Sequence, residues 1–259
     1  MPLLDDPPLE RVLDFCARDP VERVFLEDVA RRGVGRFTGL MRDGTLVALC
    51  YAGSNVVPSG DGCGAFAEVA ARSGARMLIG EEGAVADLWA AARPRLPSAR
   101  EDRPGQPVFV IDEPPEAGDS RMRAATPDDL PLLLPRAAAA HREELGIDPI
   151  QRDADGFRLR TRMQIDEGRS WLWAEDGVVL FKAEASAWTR SAIQLAQVWS
   201  DPEARGNGYA QRGLRDLIRL LLAEVPVVTL FVRTDNDRAI RLYERVGMRR
   251  ALTYRSVLF

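Results

Sequence analysis

The sequence predicts a mixed α/β fold, an α+β mixed sheet, laid out as two units in tandem, and three observations carry that prediction. The stretch DEPPEAGDS, residues 112–120, concentrates proline, glycine and acid in a run too polar to pack and too proline-rich to continue a helix. On each side of it the chain runs helix, helix, strand, Asp-Gly, strand, with the dipeptide at Asp43-Gly44 and again at Asp176-Gly177. Asp-Gly between apolar runs signals a two-residue hairpin. The chain has 259 residues, 46% of them hydrophobic, enough for two modest cores. The expected division is residues 1–111, a linker at 112–120, and residues 121–259. Because the elements repeat and the letters do not, one α/β domain with two unrelated hairpins is the competing arrangement.

Element by element, PPLERVLDFCARDP and ERVFLEDVARRG are predicted as short helices, and FTGLM and TLVALCYAG as strands around the first Asp-Gly. A helical AFAEVAARSG, a strand ARMLIG, a helix AVADLWAAARPRL and a strand PVFVI follow. After the linker, RMRAAT is predicted as a strand and Thr126-Pro127 as a helix start. GFRLRTRMQIDEG is a second helix, and WLWAEDGVVLFKAEASAW two strands. The remainder alternates: strand AIQLAQVWS, helix YAQRGLRDLIRLLLAE, strand VPVVTLFVRTDN, helix DRAIRLYERVG, strand LTYRSVLF. Leu214, Leu217, Ile218, Leu221 and Leu222 fall on one helical stripe. Period-2 alternation puts Leu180, Lys182 and Glu184 on one strand face.

The formal net charge of −4 gives no basic excess for nucleic acid to read. Cys16, Cys50 and Cys63 have no CxxC spacing and are expected to be reduced, buried thiols in a cytoplasmic protein. With His141 the only histidine, a multi-histidine metal site is excluded, and no metal is expected. No apolar run reaches membrane-spanning length, and the acidic start has no signal-peptide pattern, so no membrane partner is expected. Lys182 is the only lysine.

DPEARGNGYAQRGL, residues 201–214, places glycines between a strand and a helix. There, unpaired backbone amides and the helix dipole favour an anion, and glycine lets it approach closely. Arg205 could add a charge-assisted contact to a phosphate. No lysine follows, which removes a Walker loop, and the spacing is not GxGxxG, which removes a Rossmann fingerprint. A plain tight turn remains the simpler alternative.

Arg205, Gly208 and Ala210 match the R/Q-x-x-G-x-G/A signature of the Gcn5-related N-acetyltransferase superfamily. The segment TDNDRAIRLYERVGM resembles its second recurrent block through Asn236, Ala239, Tyr243, Gly247 and Met248. The resemblance covers roughly residues 121–259. FKAEAS, the glycine junction and the terminal RSVLF are similar to a subgroup with an extra N-terminal domain of undescribed function. The resemblance implies tandem acetyltransferase-like domains, the N-terminal one degenerate, with acetyl-coenzyme A as co-substrate. It implies a pyrophosphate on the amides of Arg205, Gly206, Asn207, Gly208, Tyr209 and Ala210, and a pantetheine arm along Val198, Trp199 and Ser200. Asn236 could contact the cofactor, or serve only as a helix cap.

By the same resemblance Tyr243 is the general acid toward the leaving thiolate, with plain core packing as its alternative. The strand that commonly carries a Glu base reads IQLAQVWS here, and Gln194 and Gln197 cannot accept a proton usefully. Glu184 is the candidate base, set against a structural Lys182–Glu184 pair. His141 is expected at the surface or as a cap, and Glu143 and Glu144 could attract a cationic amine. SGDGCGAF in the first half carries Asp61 where an arginine would be needed, so that half is expected to bind no coenzyme A; it could cap the acceptor cleft or mediate a homodimer. The predicted function is acetyl transfer to an amine of a small molecule or protein, in a ternary complex. The alternative is a catalytically silent coenzyme A-binding sensor or structural module.

Overall fold

Asp43 and Gly44 take φ of 48° and 77°, and Asp176 and Gly177 take 48° and 78°, so both dipeptides close the same kind of turn. The computed structural model, which describes residues 2–259, builds two runs of ten elements around these turns. The first comprises β1 (Leu3–Asp5), α1 (Leu9–Ala17), α2 (Val24–Arg31), β2 (Arg36–Arg42), β3 (Thr45–Ala52), β4 (Val56–Gly60), α3 (Ala67–Ser73), β5 (Met77–Glu81), α4 (Glu82–Ala92) and β6 (Glu101–Ile111). The second repeats that order as β7 (Arg123–Ala124), α5 (Leu130–Leu145), α6 (Pro149–Asp166), β8 (Ser170–Glu175), β9 (Val178–Trp188), β10 (Ile193–Trp199), α7 (Tyr209–Leu222), β11 (Val228–Phe231), α8 (Asp237–Val246) and β12 (Arg249–Leu258).

All twelve strands form one mixed sheet in the order β1-β2-β3-β4-β5-β12-β6-β11-β10-β9-β8-β7. The two repeats exchange their last strands. β6 pairs antiparallel with β11, Phe109 opposite Leu230, and β12 pairs antiparallel with β5, Ser256 opposite Ile79. The cores follow the exchange. Phe109 and Ile111 are buried with Leu214, Leu217, Ile218 and Leu221 of α7, whereas Val257 is buried with Leu78, Val85 and Leu88. Residues 112–120 separate the repeats in sequence and lie along α7, where Asp216 accepts from Gly118 N at 2.7 Å and Ser120 N at 2.7 Å.

Two local features depart from the sequence pattern. β4 forms at VVPSG although Pro58 interrupts the run. β4 pairs with β5 only at Val56 opposite Leu78, so no ladder donor is required of Pro58 on that side, although its carbonyl lies beside Gly80. β9 carries an extra residue: Phe181 opposes Trp173 and Val179 opposes Ala174, leaving Leu180 between them. Leu180 therefore packs with Phe181 and Ala183 in the core under α7. Only Lys182 and Glu184, of the three residues predicted to share a face, remain together. Among the described residues, no helix is long and apolar enough to cross a membrane.

Candidate functional site

β10 and β11 run parallel for two pairs, Ile193 opposite Val228 and Gln194 opposite Thr229, and then separate. The separation begins where β10 slips register between Ala196 and Trp199, and Gln197 there takes φ of 53°. A left-handed non-glycine residue costs about 1–2 kcal/mol, so something must hold it. Lys182 Nζ donates to Gln197 O at 3.4 Å, and Gln197 Nε2 donates to Glu144 Oε2 at 2.7 Å. The ammonium is itself paired with Glu184 Oε1 at 2.7 Å and is 1% exposed. The single lysine thus sits behind the bulge that opens the sheet.

Two adjoining clefts occupy the opening. One, of about 430 Å³, lies between the separated strands and is walled by α5, β5 and β6. The other, of about 340 Å³, extends to the loop before α7. Glu143, Val198, Trp199, Asn236 and Tyr243 line both. In the second cleft Gly208 is the N-cap of α7 at φ of 79°, and no side chain caps the helix. The first amides of a 14-residue helix therefore face this cleft without a side-chain partner, and the dipole adds positive potential. Tyr209 anchors the loop edge-on against Trp173, with ring centroids 5.0 Å apart. Asn207 donates to Ala204 O at 3.3 Å, closing the loop on itself. Ala210 completes this wall.

Arg205 is spent differently from the sequence expectation. Its Nη2 bonds both Glu143 carboxylate oxygens, at 3.0 and 2.7 Å, and its Nε donates to Ser200 O at 3.1 Å. Glu143 also accepts from Trp199 Nε1 at 3.1 Å. Arg205 thus ties the loop and the end of β10 to α5 through Nη2 and Nε. Two other arginines line the same cleft, Arg238 and Arg245, seven residues apart on α8. Neither side chain makes an ion pair or hydrogen bond among the described residues. Their spacing on one helix face was the signal in DRAIRLYERVG that could have marked them.

Tyr243 is 6% exposed and packs edge-on against Phe109, with centroids 5.6 Å apart. Burial, reinforced by the charge of Glu144, pushes its phenol pKa well above the usual value, so the group stays protonated. Among the described residues its hydroxyl has no hydrogen-bond partner. Glu144 lines the first cleft and is exposed as a residue, but desolvation of its carboxyl by the cleft walls raises its pKa, partly offset by Arg103 and by the Gln197 hydrogen bond. That is the direction that makes a carboxylate a better base. Asn236 caps α8, its Oδ1 accepting from Ala239 N at 3.1 Å, and faces both clefts.

Glu184 lies outside both cleft linings, its carboxylate held by Lys182. His141 is half-buried and stacks edge-on against Phe157 of α6 at 6.1 Å, neither at the surface nor capping. Burial lowers its pKa. All three cysteines are free and buried, with burial pushing Cys16 and Cys63 up to about 12. Among the described residues, no group of three His, Cys, Asp or Glu side chains is placed to hold a metal ion.

The first repeat has the same parting between β4 and β5, but its own side chains fill it. Arg23 Nε donates to Ser59 Oγ at 3.0 Å and Glu22 Oε2 at 2.8 Å, and Ser59 Oγ donates to Glu22 Oε2 at 2.8 Å. Tyr254 of β12 donates to Glu22 O at 2.8 Å. In the glycine loop, Asp87 Oδ2 accepts from Gly64 N at 2.9 Å. A carboxylate of the chain takes an amide that an anion would need.

Residues 137–248 match the acetyltransferase (GNAT) family, and residues 35–133 match a domain of unknown function, DUF4081. The second half of the chain is thus similar to a family whose fold supports acyl transfer in general, and the segment before it to the DUF4081 domain. Among solved structures the chain resembles an acetyltransferase of the GNAT family from Colwellia psychrerythraea, with TM-score 0.62, 12% identity and all of both chains covered. A GCN5-related N-acetyltransferase from Sphaerobacter thermophilus gives 0.62 at 16% identity, covering 98% of this chain and 94% of that one. A tandem GNAT protein from the clavulanic acid biosynthesis pathway gives 0.58 at 13% identity, covering 98% and 97%. These likenesses establish a shared tandem fold over the whole chain. No curated protein matches it in sequence.

Proposed function

We propose that the chain is an acetyl-coenzyme A-dependent N-acetyltransferase acting on an amine of a small molecule or a protein, in the cytoplasm. The observation that carries this is the continuous cleft from the uncapped amides of α7 to Tyr243 and Glu144 at the parted strands. The residues fit the co-substrate. The amides of residues 206–210 suit a pyrophosphate, Arg238 and Arg245 suit further phosphate charge, and the unpaired edge of Val198–Ser200 suits an amide-bearing arm. When bound, acetyl-coenzyme A supplies the acyl carbon as a thioester.

The chain's own groups supply positions and protons. Glu144, held by Gln197 through Oε2, keeps Oε1 to draw in a cationic amine and remove its proton. Tyr243 Oη holds the proton needed by the departing sulfur. As the carbon–nitrogen bond forms and the carbon–sulfur bond breaks, the nitrogen sheds a second proton, which replaces the one Tyr243 Oη gives to sulfur, and the first proton leaves Glu144 for solvent. Glu144 replaces Glu184 in the base role because it lines the cleft. The first repeat, residues 1–111, serves as a closed copy that binds no coenzyme A, and no nucleic acid, membrane or metal is required. A homodimer remains compatible with its exposed first repeat.

The test is release of free coenzyme A thiol from acetyl-coenzyme A in the presence of a panel of amines. Amine-dependent release, with acetylated amine detected by mass, is the expected result. Tight binding of acetyl-coenzyme A with no release to any amine would favour a silent sensor instead.

A further inference from the structure

The wall of the acceptor cleft facing Glu144 comes from the first repeat, through Met77 and Ile79 of β5 and Arg103 and Gln106 of the exchanged strand β6. Arg103 is the unusual member. Its side chain is only 10% exposed, and its Nη2 is engaged by Glu101 Oε2 at 2.6 Å and by the main-chain oxygen of Glu144 at 3.2 Å. Its Nε is buried with no hydrogen-bond acceptor among the described residues, and both of these side-chain contacts go through Nη2, which leaves Nη1 for the cleft. A guanidinium donor buried unmet is costly, and a cation held this close to the cleft suits an acceptor brought by a ligand.

The other cleft arginine differs. Arg233 is closed off by Asp235, whose oxygens it meets at 2.9 and 2.5 Å. Arg103 is therefore the cation with donors to spare, and Glu144, bonded only through Oε2, is the carboxylate with an oxygen to spare. Arg103 and Glu144 line the same cleft, and Arg103 Nη2 reaches the main-chain oxygen of Glu144 at 3.2 Å, so the two stand close enough to engage one small ligand. An anion and a cation presented together in one cleft are the mirror of a zwitterion's own charges. Met77 and Ile79 beside them offer apolar contact to a side chain.

We propose that the acceptor is a free α-amino acid or closely related aminocarboxylate, its carboxylate on Arg103 and its ammonium beside Glu144, with the DUF4081 half providing the specificity arginine. This rests on the acyl-transfer reading of the same site. Nη2 belongs to both fork faces of the guanidinium and is already engaged, so the ligand carboxylate meets Arg103 through a single charge-assisted hydrogen bond.

The experiment compares L-leucine and L-methionine with their carboxamides, which keep the amine and lose the carboxylate. Calorimetric binding in the presence of coenzyme A and thiol release from acetyl-coenzyme A are both measured, in the wild type, Arg103→Met and Arg103→Lys. The wild type should favour the free acids by about tenfold to a hundredfold, the range expected for a hydrogen bond to a charged group. Arg103→Met should erase that preference while acetyl-coenzyme A affinity stays within about twofold, and Arg103→Lys should retain part of it. If no acceptor turns over, binding of the free acids that is lost in Arg103→Met still supports the site, while the acyl-transfer reading fails alone. Equal or better use of the carboxamides, or a preference unchanged in Arg103→Met, overturns the proposal and points to a peptide N-terminus instead.

Discussion

Lys182 Nζ stands 2.7 Å from Glu184 Oε1 and 3.4 Å from Gln197 O, at the point where β10 leaves its neighbour. A buried ion pair is weak evidence of net stability, but removing one partner leaves the other charge uncompensated. Lys182→Met should therefore destabilise the protein by about 3 kcal/mol in urea unfolding. It should also weaken acetyl-coenzyme A binding, because the Gln197 bulge loses its support. The double variant Lys182→Met/Glu184→Leu should recover much of the stability without recovering the binding.

Proton transfer predicts a separable pair of effects. Tyr243→Phe should lower kcat by about a hundredfold or more, the usual scale for a lost acid or base. Glu144→Gln should do the same and abolish the low-pH limb of the rate profile. The sign follows from the raised pKa: the wild-type rate falls as pH drops through the Glu144 value, which lies above the ordinary glutamate range. In both variants acetyl-coenzyme A affinity should stay within about twofold, measured by calorimetry.

Arg238 and Arg245 are unpaired cations lining the cleft of the glycine loop. Arg238→Glu and Arg245→Glu should each weaken acetyl-coenzyme A binding by about tenfold or more, since each loses a charge-assisted contact and adds a repulsion. Saturated kcat should change little, and the fold should be unaffected in thermal unfolding.

Glu22 gives a pH-dependent stability of opposite sense to that of most carboxylates. Burial, offset in part by Ser59 and Arg23, raises its pKa from 4.5 to about 7. The native state then binds the proton more tightly than the unfolded chain, so stability falls as pH rises from 4.5 toward 7. The loss is about 3 kcal/mol at most, at 1.36 kcal/mol per pH unit. Glu22→Gln should flatten that slope in denaturant titrations across the interval.

Much of this was legible in the sequence because it rests on local chemistry. Asp-Gly turns need left-handed φ, the α7 stripe repeats at helical spacing, and Asn236 caps the helix it precedes. The strand exchange was not legible, because nothing in the letters of PVFVI or LTYRSVLF says which repeat each strand joins. The pairing of Arg205 was not legible, because sequence shows its charge but not Glu143, which lies 62 residues away and accepts from it. The Leu180 bulge misled alternation by one residue, which is enough to turn a side chain to the other face. Glu144 was visible as a charge near the cleft, but its role depends on Gln197 and Arg103, both distant in sequence.

Binding at the α7 loop is tested most directly by calorimetric titration with acetyl-coenzyme A, in the wild type and in Ala210→Glu, which sets a carboxylate beside the helix amides. The account predicts one site per chain in the wild type, weakened at least tenfold in the variant. No binding, or two sites per chain with the first-repeat loop active despite Asp87, would contradict it.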